Sequence, residues 1–341
     1  MIEKPFILAG KKLSTRLVFP PLATESSDGG KPNEKITQHY CAIAANPNVG
    51  MIITEHSYVD PQGKADPHQI SFADDSVIDA QKAMVKSIRN VRPDICLLAQ
   101  INHAGANTRK LYTGMDLVSA SDIKWTRDQA RALTVDEIHD LEQKYIAAAL
   151  RVQEAGYDGV EIHCAHAYLL NQFYSPITNH RDDEYGPQTI TNRLRFTLEI
   201  IRGIKAKANK NFIVSVRLGG CDYKEGGSTI EDACAAAKLL EREHIDLLNL
   251  SGGTCQIFRP GHAEPGFFTD MSEAVKKCVF TPILVAGGIT TKKEADLFLR
   301  EGKADLIGVC RPALADPDWI KKQVEGREKE IVKCVYCNGC L

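Results

Sequence analysis

Eight short runs of aliphatic and β-branched residues recur along the chain, at Arg16 to Ala23, Met51 to Glu55, Cys96 to Ile101, Gly159 to Cys164, Phe212 to Leu218, Leu247 to Gly252, Ile283 to Gly288 and Leu306 to Arg311. They read as continuously apolar rather than alternating, the pattern of strands covered on both faces, so they point to a parallel sheet. Segments of helical period separate them. The clearest runs from Thr134 to Gly156, where Ile138, Leu141, Tyr145, Ala148, Val152 and Ala155 fall at three- and four-residue steps. Thr134 with Glu137 makes a capping-box pattern, and Gly156 stands where a left-handed C′ residue is wanted. Thr291 with Glu294 opens a similar helix before Ala295, Phe298 and Leu299, and Asp316-Pro317 opens the last. Eight strand-then-helix units predict an α/β fold, a (β/α)8 TIM barrel with its active site at the C-terminal strand ends.

The 341-residue length suits one such barrel, which commonly takes about 250 residues or more. Residues 1–330 are expected to form it, and 331–341 a cysteine-containing tail. Pro5 to Ser14 reads as a hairpin turning near Ala9-Gly10, a plug for the barrel bottom. Asn102 to Leu133, after strand three, is too long for an ordinary connector and is expected to be a lid or substrate loop. The 42 basic and 44 acidic residues are interspersed, with a formal charge of -2 and no basic block, so nucleic acid is not an expected partner. No apolar run nears the ~18 residues of a membrane span, and the start lacks a signal-peptide apolar region. The cytosol is therefore expected, with most of the 11 cysteines as reduced thiols.

Reading only the strand ends gives a polar ring: Pro20 to Thr24, Glu55-His56, Gln100 with His103, His163 with His166 and Tyr168, Arg217, Ser251 to Gly253, Gly287-Gly288 and Cys310-Arg311. Glycines after strand seven and an arginine ending strand eight suit a phosphate-bearing cofactor, because loops seven and eight of such barrels commonly present N–H groups to phosphate. A simple tight turn would also use Gly287-Gly288. The run His163 to Tyr168 admits three readings. Two histidines three apart could ligate a metal, though no carboxylate stands in a recognisable zinc spacing. They could be structural, with a packed tyrosine. Or they could offer two N–H donors to a substrate oxygen, with the Tyr168 hydroxyl as general acid.

The sequence segments 16–24, 55–63, 99–105, 160–186, 215–218 and 304–319 together resemble the Old Yellow Enzyme family of FMN-dependent NAD(P)H:flavin oxidoreductases and ene-reductases, over essentially the whole chain. The resemblance implies that Pro20, Pro21, Leu22, Ala23 and His56 line FMN, that Gln100 reads its pyrimidine edge, and that Arg217 sits where reduction adds negative charge. It also implies that Gly287, Gly288, Cys310 and Arg311 hold the phosphate. Hydride from NADH or NADPH would pass through flavin N5 to an activated C=C bond of a small-molecule substrate, His163 and His166 would bind its carbonyl, and Tyr168 would supply the proton. Three positions depart from the family pattern: Ala23 stands for a cysteine or threonine, His56 for a small residue, and Cys310 for a glycine. Relatives are variously monomers, dimers and tetramers, which leaves a homo-oligomer open. Residues near Phe258 to Phe268 and the Asn102 to Leu133 loop are expected to shape specificity.

The tail, with Cys334, Cys337 and Cys340, resembles the start of the cysteine run by which larger relatives of the 2,4-dienoyl-CoA reductase type bind a [4Fe–4S] cluster. Such a cluster normally takes four thiolates, and here three are present with a shortened last spacing. A cluster, a zinc ion and no metal all stay open. The alternative function is accordingly an iron–sulfur flavoprotein electron-transfer module of a larger enzyme.

Overall fold

The apolar runs close into a barrel. In the computed structural model, which describes residues 1–335 and 337, the strands in chain order are β1 (Phe6–Leu8), β2 (Lys11–Leu13), β3 (Leu17–Phe19), β4 (Met51–Tyr58), β5 (Cys96–Asn102), β6 (Leu117–Ser119), β7 (Ala130–Ala132), β8 (Gly159–Cys164), β9 (Ile213–Cys221), β10 (Leu247–Gly252), β11 (Ile283–Ala286) and β12 (Leu306–Gly308). β3, β4, β5, β8, β9, β10, β11 and β12 pair in that parallel order, and β12 returns to β3. This is the predicted (β/α)8 barrel. β3 is shorter than its apolar run because Pro20 and Pro21 bring no N–H to the ladder. β9 is longer, running on to Cys221 with a register shift opposite Ser251 and Gly252.

Helices cover the outside. Val135–Glu154 begins with the full Thr134–Glu137 capping box and buries Ile138, Leu141, Tyr145, Ala148 and Val152, the residues its spacing singled out. Gly156 follows it in a left-handed conformation at φ 91°. Among the described residues no helix is long and apolar enough to cross a membrane.

The inward positions of the strands form layers, as alternate residues must. At the bottom, Val18, Met51, Ile53, Cys96, Leu98, Ile213, Leu247, Leu284 and Leu306 pack with Leu8 and Leu13 of the β1–β2 hairpin. The hairpin is thus the expected plug. Ala9 and Gly10 both have positive φ, 45° and 82°, as a two-residue hairpin turn that follows strand twist requires. Burying a leucine contributes roughly 1.5–3 kcal/mol, so Leu8 and Leu13 anchor the plug strongly. Two residues further up, Gln100, Glu161, Ser215 and Asn249 make a buried polar layer. Another two up, His163, Arg217 and Ser251 reach the C-terminal rim.

The long segment after β5 is not structureless. It carries a short helix, Lys110–Thr113, and the paired strands β6 and β7, closed over a small core of Ala106, Leu117 and Ala130.

Candidate active site

At the C-terminal rim lies a cavity of about 410 Å³, and every barrel residue that the sequence assigned to cofactor or chemistry lines it: Pro20, Pro21, Leu22, Ala23, His56, Gln100, His163, His166, Tyr168, Arg217, Gly287, Gly288, Cys310 and Arg311. The volume is that of a small-molecule or cofactor site. His103, read as part of the polar ring, is not among the lining residues. Its ring packs where a Cβ on Gly63 would meet it at 2.2 Å, and its Nδ1 accepts from the Gly105 N–H at 3.0 Å. The long loop contributes only Asn107 to this cavity.

His163 is the penultimate residue of β8, and its ring lies edge-on to those of both His166 and Tyr168, each at a centroid distance of 5.0 Å. His56 sits 5.4 Å from Tyr168. Two residues between them make this grouping by taking an unusual backbone: His166 and Ala167 both have φ of 60°. A left-handed non-glycine residue costs on the order of 1–3 kcal/mol, so the turn needs support. Asn107 Nδ2 donates to the His166 carbonyl at 3.1 Å, Gln172 Nε2 donates to the Ala167 carbonyl at 2.6 Å, and the Ala167 N–H donates to Asn171 Oδ1 at 2.8 Å. Sequence reading assigned no role to Asn107, Asn171 or Gln172. Their signal was present as three amides, one in the loop after β5 and two just past the histidines.

Ser251 joins the two sides of the rim. Its hydroxyl lies 2.7 Å from His166 Nε2 and 3.5 Å from Arg217 Nη2. A guanidinium can only donate, so the serine oxygen accepts from Arg217, and the hydroxyl keeps one proton to give and a second lone pair to accept with at Nε2. When the serine gives its proton, His166 carries its own on Nδ1.

Burial sets the protonation states. It holds His163 and His166 well below the ordinary imidazole range, helped by the positive charge of Arg217, and it holds His56 at about 4. It pushes the Tyr168 phenol up to about 12, with the charges of Glu25 and Asp66 adding to the effect. At neutral pH the site therefore presents neutral imidazoles and a protonated phenol. Since the folded imidazole values lie below the unfolded value, each contributes stability that is present above about pH 6.5 and lost as pH falls. In 15N-labelled protein, His163 and His166 are expected to keep neutral-imidazole shifts from about pH 8 to 5.5. A titration midpoint near the ordinary value would contradict this.

The fit for a flavin can be tested on atoms. Arg217 Nε and His163 Nδ1 are buried without a hydrogen-bond partner, an unusual state that calls for an absent acceptor or donor. After β11, Gly287 and Gly288 have φ of 130° and 68°, and a Cβ on Gly288 would lie 2.6 Å from the Phe267 ring. Only glycine suits that turn, and both glycines line the cavity. A guanidinium for a polar ring edge together with a glycine cradle suits a flavin with its phosphate.

A second chamber of about 300 Å³ shares Ala23, Glu25, His56, Ala65 and Tyr168 with the first and is otherwise lined by Glu55, Asp66, Gln69 and Tyr112. Glu55 there accepts from the Thr24 N–H and hydroxyl, both at 2.9 Å, and burial raises its carboxyl to about 7. Among the described residues no group of three His, Cys, Asp or Glu side chains is placed to hold a metal. Of the tail cysteines, Cys334 is partly buried and Cys337 exposed, and Cys340 lies outside the described residues.

Residues 2–330 match the NADH:flavin oxidoreductase / NADH oxidase family. The NADH oxidase of Thermoanaerobacter brockii is 36% identical over 339 residues, covering 96% of this chain and 52% of that protein. Among solved structures, a 2-naphthoyl-CoA reductase in complex with 2-naphthoyl-CoA superposes with a TM-score of 0.91 at 26% identity, covering 99% of this chain and 54% of the other. An old yellow enzyme homologue from Zymomonas mobilis gives 0.84 at 25% identity, covering 99% and 96%. The chain thus spans about half the length of the first two proteins and nearly all of the third.

Proposed function

Since the chain belongs to the NADH:flavin oxidoreductase / NADH oxidase family of FMN-dependent NAD(P)H oxidoreductases, we propose that it reduces the activated C=C bond of an α,β-unsaturated carbonyl compound. The observation that carries this reading is the left-handed turn at His166-Ala167, which brings two neutral imidazoles and a protonated phenol to one side of the cavity.

Pro20 to Ala23, His56, Gln100 and Arg217 would hold the isoalloxazine of FMN, and Gly287, Gly288, Cys310 and Arg311 its phosphate. Bound there, FMN supplies hydride transfer, from a nicotinamide to the electron-poor alkene. The chain's own residues do the rest. Neutral His163 and His166 donate N–H groups to the substrate carbonyl oxygen, which stabilises the negative charge it gains as the β-carbon accepts hydride. Ser251 supports this when it gives its proton to Nε2 and so keeps the His166 proton on Nδ1. The Tyr168 hydroxyl, protonated at every working pH, gives its proton to the α-carbon. The apolar walls contributed by Leu22, Phe268 and Ile289 exclude water from the reacting atoms.

Anaerobic turnover with NADH or NADPH and 2-cyclohexenone tests the proposal. One saturated ketone is expected for each nicotinamide oxidised, and the absence of enone-dependent oxidation would overturn it.

A second reading is favoured by coverage, since relatives such as the NADH oxidase and the 2-naphthoyl-CoA reductase are about twice as long. In that reading the barrel receives electrons through an iron–sulfur cluster bound partly by Cys334, Cys337 and Cys340. Reduction of bound FMN by NAD(P)H in a preparation free of iron would exclude it as a requirement.

A further inference from the structure

Below the rim, one carboxylate lies at the centre of the barrel with no solvent contact. Glu161 is 0% exposed. Its Oε1 accepts from Gln100 Nε2 at 2.8 Å, and its Oε2 accepts from the Ser215 hydroxyl at 3.0 Å and from Asn249 Nδ2 at 3.0 Å. The four side chains come from β5, β8, β9 and β10, where Gln100, Glu161 and Ser215 are direct register partners. One layer higher, Arg217 and His163 are register partners in turn.

The chemistry of these contacts fixes two things. Gln100 and Asn249 present amide N–H groups and Ser215 a hydroxyl proton, so the carboxyl meets donors on both oxygens. Such a shell suits the ionised form, as a protonated carboxyl would need an acceptor of its own. On balance burial raises this carboxyl's pKa, with Arg217 and the three donors opposing it; the shell of donors around both oxygens is what favours the charged form. The second consequence concerns Gln100. Its NH2 gives one proton to Glu161, which an amide oxygen facing the carboxylate could not do, so the oxygen is held away from Glu161 and left to accept from a ring N–H, with the second amide proton beside it.

We propose that Glu161 is a positioning residue for the cofactor: it locks the Gln100 amide with its oxygen toward the FMN ring, and its negative charge offsets Arg217, holding the flavin's reduction potential down. The family's FMN is the premise here, and the alkene substrate plays no part. Arg217 alone would favour the negative charge that reduction adds to the ring. A carboxylate one layer beneath cancels part of that field, and in a buried site such pairs are weakly screened. The result is a stronger hydride donor than a lone buried arginine would give.

The test uses the FMN-loaded protein and two variants, Glu161→Gln and Glu161→Asp. Glu161→Gln removes the charge at nearly constant shape. The ratio of the dissociation constants of oxidised to reduced FMN is expected to rise at least about tenfold, a positive shift of about 30 mV in the two-electron potential. Oxidised FMN is also expected to bind roughly tenfold more weakly, because the Gln100 amide loses its charged partner. Glu161→Asp keeps the charge and shortens the reach, so affinity should fall while the potential stays near that of the unaltered protein. A purely structural glutamate would lower affinity and melting temperature in both variants and leave the potential unmoved in both. That result overturns the proposal, as does an equal positive shift in both. If Glu161→Gln does not fold, Glu161→Asn is set against Glu161→Asp: a higher potential in the neutral variant than in the charged one supports the proposal, and equal potentials overturn it.

Discussion

Replacing Tyr168 with phenylalanine is expected to slow the alkene half of turnover by about 10²- to 10⁴-fold, the usual span of a positioned general acid, and to leave reduction of bound FMN by NAD(P)H essentially unchanged. The substitution is clean because Phe keeps the ring that packs on His163 and His56. Among the described residues no hydrogen bond rests on the hydroxyl, so the loss reads the proton alone. Its affinity for that proton, pushed up to about 12, means the phenol is charged with a proton across the whole neutral range. Stopped-flow absorbance of the flavin resolves the two halves. An alkene rate in Tyr168→Phe equal to that of the unaltered protein would remove Tyr168 from the proton-donor role.

His163→Ala and His166→Ala are each expected to lower the alkene rate by about 10²- to 10³-fold, the loss typical of one oxyanion-hole donor. If both imidazoles hold a single oxygen, as proposed, the double variant should lose less than the product of the two. His166→Asn, which retains an N–H donor, should recover part of the activity. Ser251→Ala offers a finer probe, since it frees the His166 proton to sit on either nitrogen. Rates are read under saturating enone, so that a loss in kcat is separated from one in KM. Equal effects on kcat/KM for an enone and for an alkene without a carbonyl would show that the histidines do not act through the oxygen.

How far the chain discloses this site depends on the kind of interaction. The barrel was legible because eight apolar runs separated by helical segments leave few alternatives, and the helix after Thr134 carries its own start and stop. The rim residues were legible because strand ends follow from strands. Of the middle layer only Gln100 was singled out. Glu161, Ser215 and Asn249 also interrupt the apolar runs at inward positions, and reading those runs as continuously apolar hid them. Polar residues two below each rim position were the available signal. The support of the His166-Ala167 turn was likewise hidden, since it depends on Asn107, which lies 59 residues before His166 in sequence. The long loop after β5 was expected over the substrate, yet it folds largely upon its own small core and sends Asn107 to one chamber and Tyr112 to the other.

The division of labour between hydride and proton is best tested by following where each hydrogen goes. Turnover of 2-cyclohexenone in D2O with unlabelled nicotinamide is expected to place one deuterium on the α-carbon and none on the β-carbon. With nicotinamide deuterated at its transferable position in ordinary water, the label is expected on the β-carbon alone. Deuterium from solvent on both carbons, or recovery of unreduced enone with the nicotinamide fully oxidised, would contradict a site in which FMN passes hydride to the alkene and the chain supplies the proton.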